Sequence, residues 1–160
     1  MNKGAASGLH FGLTSGVITT LGLIVGLHSG TQSQLAVVGG IVTIAVADAM
    51  SDALGIHVSK EAEGGLSTLE VWKATAATFG AKLVMASSFL APVLILELET
   101  AILVSIGWGL GILGMLSYRL ARLQGVKALP VIAEHTGIAV LVIVVTHLLG
   151  GWVAHRFPPL

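Results

Sequence analysis

A chain of 160 residues in which 54% are hydrophobic and only 10% charged, with a mean hydropathy of +0.94, is too apolar for a water-soluble domain and too short for a second one. Its formal net charge of zero offers nothing to a nucleic acid, and without cysteine any metal must meet oxygen or nitrogen ligands. A bilayer core of roughly 30 Å takes about 20 apolar residues per helical crossing, so the sequence predicts an all-α, multi-pass integral membrane protein. Its single transmembrane domain covers 1–160, with spans near 9–27, 35–56, 71–96, 101–120 and 132–154.

The opening, MNKGAASGLHFG, has one lysine before the apolar run and no convincing cleavage site, so the run reads as a retained first helix. Gly8, Gly12 and Gly16 repeat every four residues, and Gly22, Gly26 and Gly30 do the same. Both ridges allow close helix approach, either within the chain or against a second subunit. Of the hydroxyls at Thr14, Ser15, Thr19 and Thr20, those of Ser15 and Thr19 share a face.

The second span holds the sharpest signal, AVADAMSDALG. Asp48 and Asp52 are four residues apart, on one helical face and about 6 Å apart along the axis, with Ser51 beside them. A carboxylate in hydrocarbon costs several kcal/mol on insertion scales, so two on one stripe must face protein, water, a cation or a proton. Two carboxylates and a hydroxyl form part of a hard-cation shell that a neighbouring helix or subunit would complete, and such a pair also suits proton exchange. The third span places Lys82 at mid-membrane, where it is the natural ion-pair partner; one lysine balances only one of two aspartates.

Between these spans, SKEAEGGLSTLE carries Glu61 and Glu63, which with His57 form a candidate cytoplasmic entrance that attracts cations, and Glu70 adds to the same mouth. The fourth span is thinned by Gly107, Gly109, Gly111 and Gly114. In the fifth, His147 lies deep within VVTHLLGG, as a proton carrier, a ligand or a ring bonded to backbone, whereas His10, His57, His135 and His155 fall near helix ends. Lys3, Lys60, Lys73, Arg119, Arg122 and Lys127 fall on one side and Arg156 on the other, which predicts a cytoplasmic amino terminus and a carboxyl terminus outside or lumenal. No phosphate-binding glycine loop, nucleophile with a base, or metal-hydrolase motif is present, so enzyme chemistry is not expected.

FGLTSGVITTLGLIVGL followed by AVADAMSDALGIHVSKEAE resembles the first two helices of the vacuolar iron transporter family. AATFGAKLVMASSFLAPVLIL is similar to that family's third helix with its late proline. ILVSIGWGLGILGMLSYRLARLQG and IAVLVIVVTHLLGG are similar to its last two. The resemblance implies a five-helix homodimer, here joined through helix one, with a path at the dimer interface by which ferrous iron or manganese leaves the cytosol against protons. Four departures stand out. Ser15 precedes Gly16 where the family has an acidic residue. Ile44 and Asp52 stand where it has a glutamate and a methionine, with Asp48 where a small residue is common. The connection after helix two is about a dozen residues rather than a large glutamate-rich metal-binding region, and Lys82 is added.

The sequence reading is thus a transporter of divalent metal cations, iron or manganese, with Asp48 and Asp52 as ligands and Ser15, Thr19, Ser51 and Lys82 along the path. The expected membrane is the cell membrane, an organellar one being the alternative. The competing readings are a transporter or channel for another ion using Asp48, Asp52 and Lys82, and a packing or interaction protein that transports nothing.

Overall fold

A computed structural model describes residues 3–157, all of them helix or short connection. The side chain of Lys3, one of the residues used above for orientation, lies outside those described. The elements are α1 (Lys3–Thr31), α2 (Gln34–Glu63), α3 (Thr68–Ser88), α4 (Leu90–Ile95), α5 (Leu98–Gln124) and α6 (Ala128–Arg156). Five stretches are long and apolar enough to cross a bilayer, with α3 and α4 together forming the third, Thr68–Ile95. The fold is therefore an all-α, multi-pass membrane architecture.

Each helix runs a few residues beyond its predicted apolar core. Hydropathy marks only the part of a helix that lies in hydrocarbon, and the polar ends continue the same backbone ladder. The largest extension is in α2, where SKEAE stays helical through Glu63, so Glu61 and Glu63 stand on a helix and not in a loop. The true connection is only 64–67, turned by Gly64 and Gly65 at φ of 68° and 78°. Ser67 then opens α3 through a capping box with Glu70.

The third span is broken. Pro92 has no N–H for the carbonyl of Ser88 and its ring crowds that carbonyl, so α3 stops at Ser88 and α4 restarts at Leu90. Phe89, at the break, is fully buried. The Gln34 side chain donates to the Val93 carbonyl at 2.6 Å, which satisfies a backbone group at the end of α4 that the helix leaves open.

The central element is α1, which packs on α2, α3, α5 and α6. Its two glycine ridges are both used inside the chain. A Cβ at Gly8 would stand 2.2 Å from the Ala74 carbonyl oxygen, and one at Gly12 2.5 Å from that of Thr78, so the first ridge seats α3. Gly22, Gly26 and Gly30 meet Val142, Thr146 and Gly150, and a Cβ at Gly150 would come within 2.3 Å of the Gly26 carbonyl oxygen, so the second seats α6. The sequence expectation of a homodimer through helix one is corrected to this extent: neither ridge is free for a second subunit. In α5, Gly109 receives Leu21 of α1, while Gly107, Gly111 and Gly114 meet nothing within 4 Å.

Val17, Leu21 and Ile24 of α1, Val37 and Ile41 of α2, Phe89, Val93 of α4 and Leu113 of α5 form the fully buried apolar core. Lys60, Lys73, Arg119, Arg122 and Lys127 cluster at one end of the bundle, called the basic end below, and Arg156 lies at the other.

Candidate functional site

Lys82 is the largest fully buried side chain, 1% exposed, near the middle of the third span. Gly16 of α1 lies against the same stretch of α3, where a Cβ would stand 3.1 Å from Met85 Cβ and 3.4 Å from Lys82 Cγ, so the glycine gives room to Met85 and leaves the lysine stem in ordinary contact. The ammonium then emerges beside Ser15, one residue earlier, and faces the acidic stripe of α2.

Lys82 Nζ donates to Ser15 Oγ at 2.9 Å and to Asp52 Oδ2, and Ser15 Oγ donates to the same Asp52 oxygen at 2.6 Å. Asp48 Oδ2 is 2.5 Å from Nζ as an ion pair without hydrogen-bond alignment, and that oxygen has no other hydrogen-bond partner. Three helices thus contribute to one cluster of two carboxylates, one ammonium and one hydroxyl, with a formal charge of −1. The aspartate side chains remain 27% and 20% exposed, so the lysine is sealed in protein while the carboxylates reach the molecular surface.

Asp48 stands on a groove of about 540 Å³ between α1 and α2, lined by Thr19, Leu23, Leu27, Gly40, Thr43 and Ile44 among others. Thr19 and Thr43 donate their hydroxyl protons to the backbone carbonyls of Ser15 and Gly39, at 2.9 and 2.8 Å. With its single proton committed, each hydroxyl can turn only an oxygen lone pair to anything else that approaches, which suits a cation.

Ser15, Asp48, Asp52 and Lys82 are therefore brought together, and Thr19 joins them along the groove. Ser51 does not: it is exposed and has no hydrogen bond among the described residues. Its place explains why. Gly39, Thr43, Ala47, Ser51 and Gly55 recur every fourth residue and are all exposed, a small-residue stripe on the outer face of α2 next to the aspartates. Thr43 and this stripe are the features that the sequence reading missed, although the four-residue spacing that marked α1 is equally present in α2.

At the basic end, His57 and Glu61 face each other and Glu63 stands apart from them. Glu63 accepts from Lys60 at 2.8 Å, whereas His57 contacts Thr75 at 2.9 Å, Glu61 at 3.4 Å and the ring of Trp72 at a centroid distance of 4.5 Å. Glu70 is engaged in the cap of α3. Near the opposite end, His147 Nδ1 lies 3.0 Å from Ser29 Oγ, beside a groove shared with His28 and Glu99. Among the described residues no three His, Asp or Glu side chains group closely enough to hold a metal ion by themselves, so the Asp48–Asp52 pair remains a partial shell. Comparison with protein-family models, curated proteins and solved structures gives no match; the fold and the cluster define an α-helical multi-pass membrane protein with a lysine–aspartate cluster in its core.

Proposed function

We propose that the chain is a cell-membrane transporter that moves a divalent cation, iron or manganese, out of the cytosol in exchange for protons at the Asp48–Asp52–Lys82 cluster. The observation that carries this reading is an ammonium buried at mid-span, clasped by two partly exposed carboxylates of which one, Asp48, lies on a groove. Charge in hydrocarbon is expensive, and a structural ion pair needs one carboxylate, not two. The second carboxylate leaves a negative charge that an incoming cation neutralises. Lys82 already occupies the place between the oxygens, so a cation enters as the ammonium is displaced or loses its proton, and it leaves as the ammonium returns. Loss of the Nζ proton as the cation enters, and its recovery as the cation leaves, would couple cation and proton movement.

The cation needs more donors than one chain supplies here. The outer stripe of α2 is the exposed face of small residues beside the aspartates, so a second copy seated on it supplies the missing oxygen ligands and closes the groove from lipid. This keeps a homodimer in the proposal but moves its contact from α1 to α2. The amino terminus is cytoplasmic, with the basic end of the bundle facing the cytosol.

A second reading is favoured by the contact of Lys82 with both aspartates: a cluster that carries its own cation suits a monovalent ion or protons alone. Flux of Fe2+, Mn2+, Na+ and H+ into proteoliposomes under an imposed pH gradient separates the two. Metal flux that follows the gradient and vanishes in Asp48→Asn supports the first reading, and proton or sodium flux without metal supports the second. Folded native protein that moves none of these ions would sink both.

A further inference from the structure

The contact geometry around His57 defines the state of its ring. Thr75 Oγ1 donates to the Val71 carbonyl at 2.9 Å, and a hydroxyl has one proton to give. With the Thr75 proton on the Val71 carbonyl, the 2.9 Å contact between Thr75 Oγ1 and His57 Nδ1 has the ring as donor. A neutral His57 then carries its lone pair on Nε2, and Nε2 is the atom that faces Glu61 Oε1, at 3.4 Å. Trp72 meets the ring edge to face, at an interplanar angle of 62°, and helps to fix its plane.

A lone pair pointed at a carboxylate is repulsive unless something positive lies between them. A shared proton draws such a pair to a charge-assisted hydrogen bond of about 2.7–2.9 Å. A metal holds its donors further apart: nitrogen and oxygen at about 2.0–2.2 Å from a tetrahedral ion stand about 3.4 Å from each other. The observed separation matches the second arrangement.

We propose that His57 Nε2 and Glu61 Oε1 form a two-donor site for a first-row divalent transition-metal ion at the basic end, completed by water. Thr75 is its positioning residue, holding the ring in the tautomer that ligates. The imidazole nitrogen makes the site select Fe2+, Co2+ or Zn2+ over Mg2+ and Ca2+. The side chain of Glu61 is 60% exposed and that of His57 15%, so a hydrated ion meets the carboxylate first and the ring nitrogen second. Glu63 is no part of the site because Lys60 holds it. Binding here does not depend on transport: Glu61 lies about 13 Å of helix rise from Asp52, and its donors are complete without the central cluster.

The test is a titration of the purified full-length chain in detergent with Co2+, followed by visible d–d absorption, in the Asp48→Asn, Asp52→Asn, Lys82→Met background, which removes the central carboxylates without stranding the ammonium. One Co2+ per chain with a tetrahedral spectrum is expected. His57→Gln and Glu61→Gln should each weaken binding by at least about tenfold, and Thr75→Val by about tenfold. Glu63→Gln should leave it within about twofold, and excess Mg2+ should not compete. Glu61 is exposed, so Glu61→Gln tests the site even if His57→Gln fails to fold. Binding unchanged in Glu61→Gln, or equal loss in Glu63→Gln, overturns the site. So do ring 15N resonances that report both His57 nitrogens protonated at neutral pH and unmoved by Co2+, which would place a proton there instead. Metal flux without binding here overturns this site alone; binding here without flux overturns the transport proposal alone.

Discussion

The Lys82 ammonium gives aligned hydrogen bonds to Ser15 and Asp52 but only an electrostatic contact to Asp48, so the two aspartates carry different tasks. Asp52 also takes the Ser15 hydrogen bond and is the anchor of the cluster; Asp48 pairs with the ammonium without hydrogen-bond alignment and stands on the groove. Asp52→Asn should therefore destabilise the folded chain by about 2–3 kcal/mol, and Asp48→Asn by about 1 kcal/mol or less, because truncating a fully bonded partner strands the buried ammonium. Melting of the two variants in detergent checks the order, and flux should be lost in both. Ser15→Ala removes one donor and one acceptor from the same centre and should cost about 1–3 kcal/mol by the same measurement. The spacing of Asp48 and Asp52 was legible in the sequence because a four-residue interval puts two side chains on one face whatever the tertiary fold. Lys82 was legible as an ion-pair partner from its mid-span place; that one ammonium meets both carboxylates and Ser15 together was not, since it depends on the register of α1, α2 and α3, which only packing sets.

At the scale of the helices, α1 is held by backbone proximity. The Gly8 carbonyl even accepts from Thr78 Oγ1 of α3 at 3.2 Å, a contact that any side chain at Gly8 would push apart. Gly12→Leu should drive α1 from α3, move Lys82 away from Ser15 and prevent stable folding. Gly107→Leu, at a glycine with open space around it, should leave melting nearly unchanged apart from the small gain in helix propensity of about 1 kcal/mol. The five spans were legible because an apolar stretch of bilayer length has few alternatives to a helix. The break at Phe89 was not legible in the same way, since hydropathy gives one unbroken span over 71–96, although Pro92 is its physical cause. The use of both glycine ridges inside the chain was not readable, since a four-residue repeat specifies a close approach without naming the partner.

At the scale of the whole molecule, α2 presents its small-residue stripe outward, beside the aspartates. Ala47→Phe in the middle of that stripe should leave the single chain folded and convert detergent-solubilised particles from two chains to one by light scattering, with flux lost in parallel. A triple neutral variant, Asp48→Asn, Asp52→Asn and Lys82→Met, should fold and insert, since it strands no charge, yet carry no ion; full function in that variant would mark the cluster as packing only. The depth of the cluster adds an electrical consequence. Lys82 lies near the middle of its span, so an ion reaching it from either face has crossed about half of the transmembrane voltage, worth about 1.2 kcal/mol per elementary charge at 100 mV. Under the proposed exchange the bundle would act as a capacitor with its movable plate at the centre: a divalent ion that arrived as the ammonium swung aside would drive a net displacement current before anything had crossed. A fast pre-steady-state current on metal addition, absent in Asp48→Asn, is the signature this placement implies.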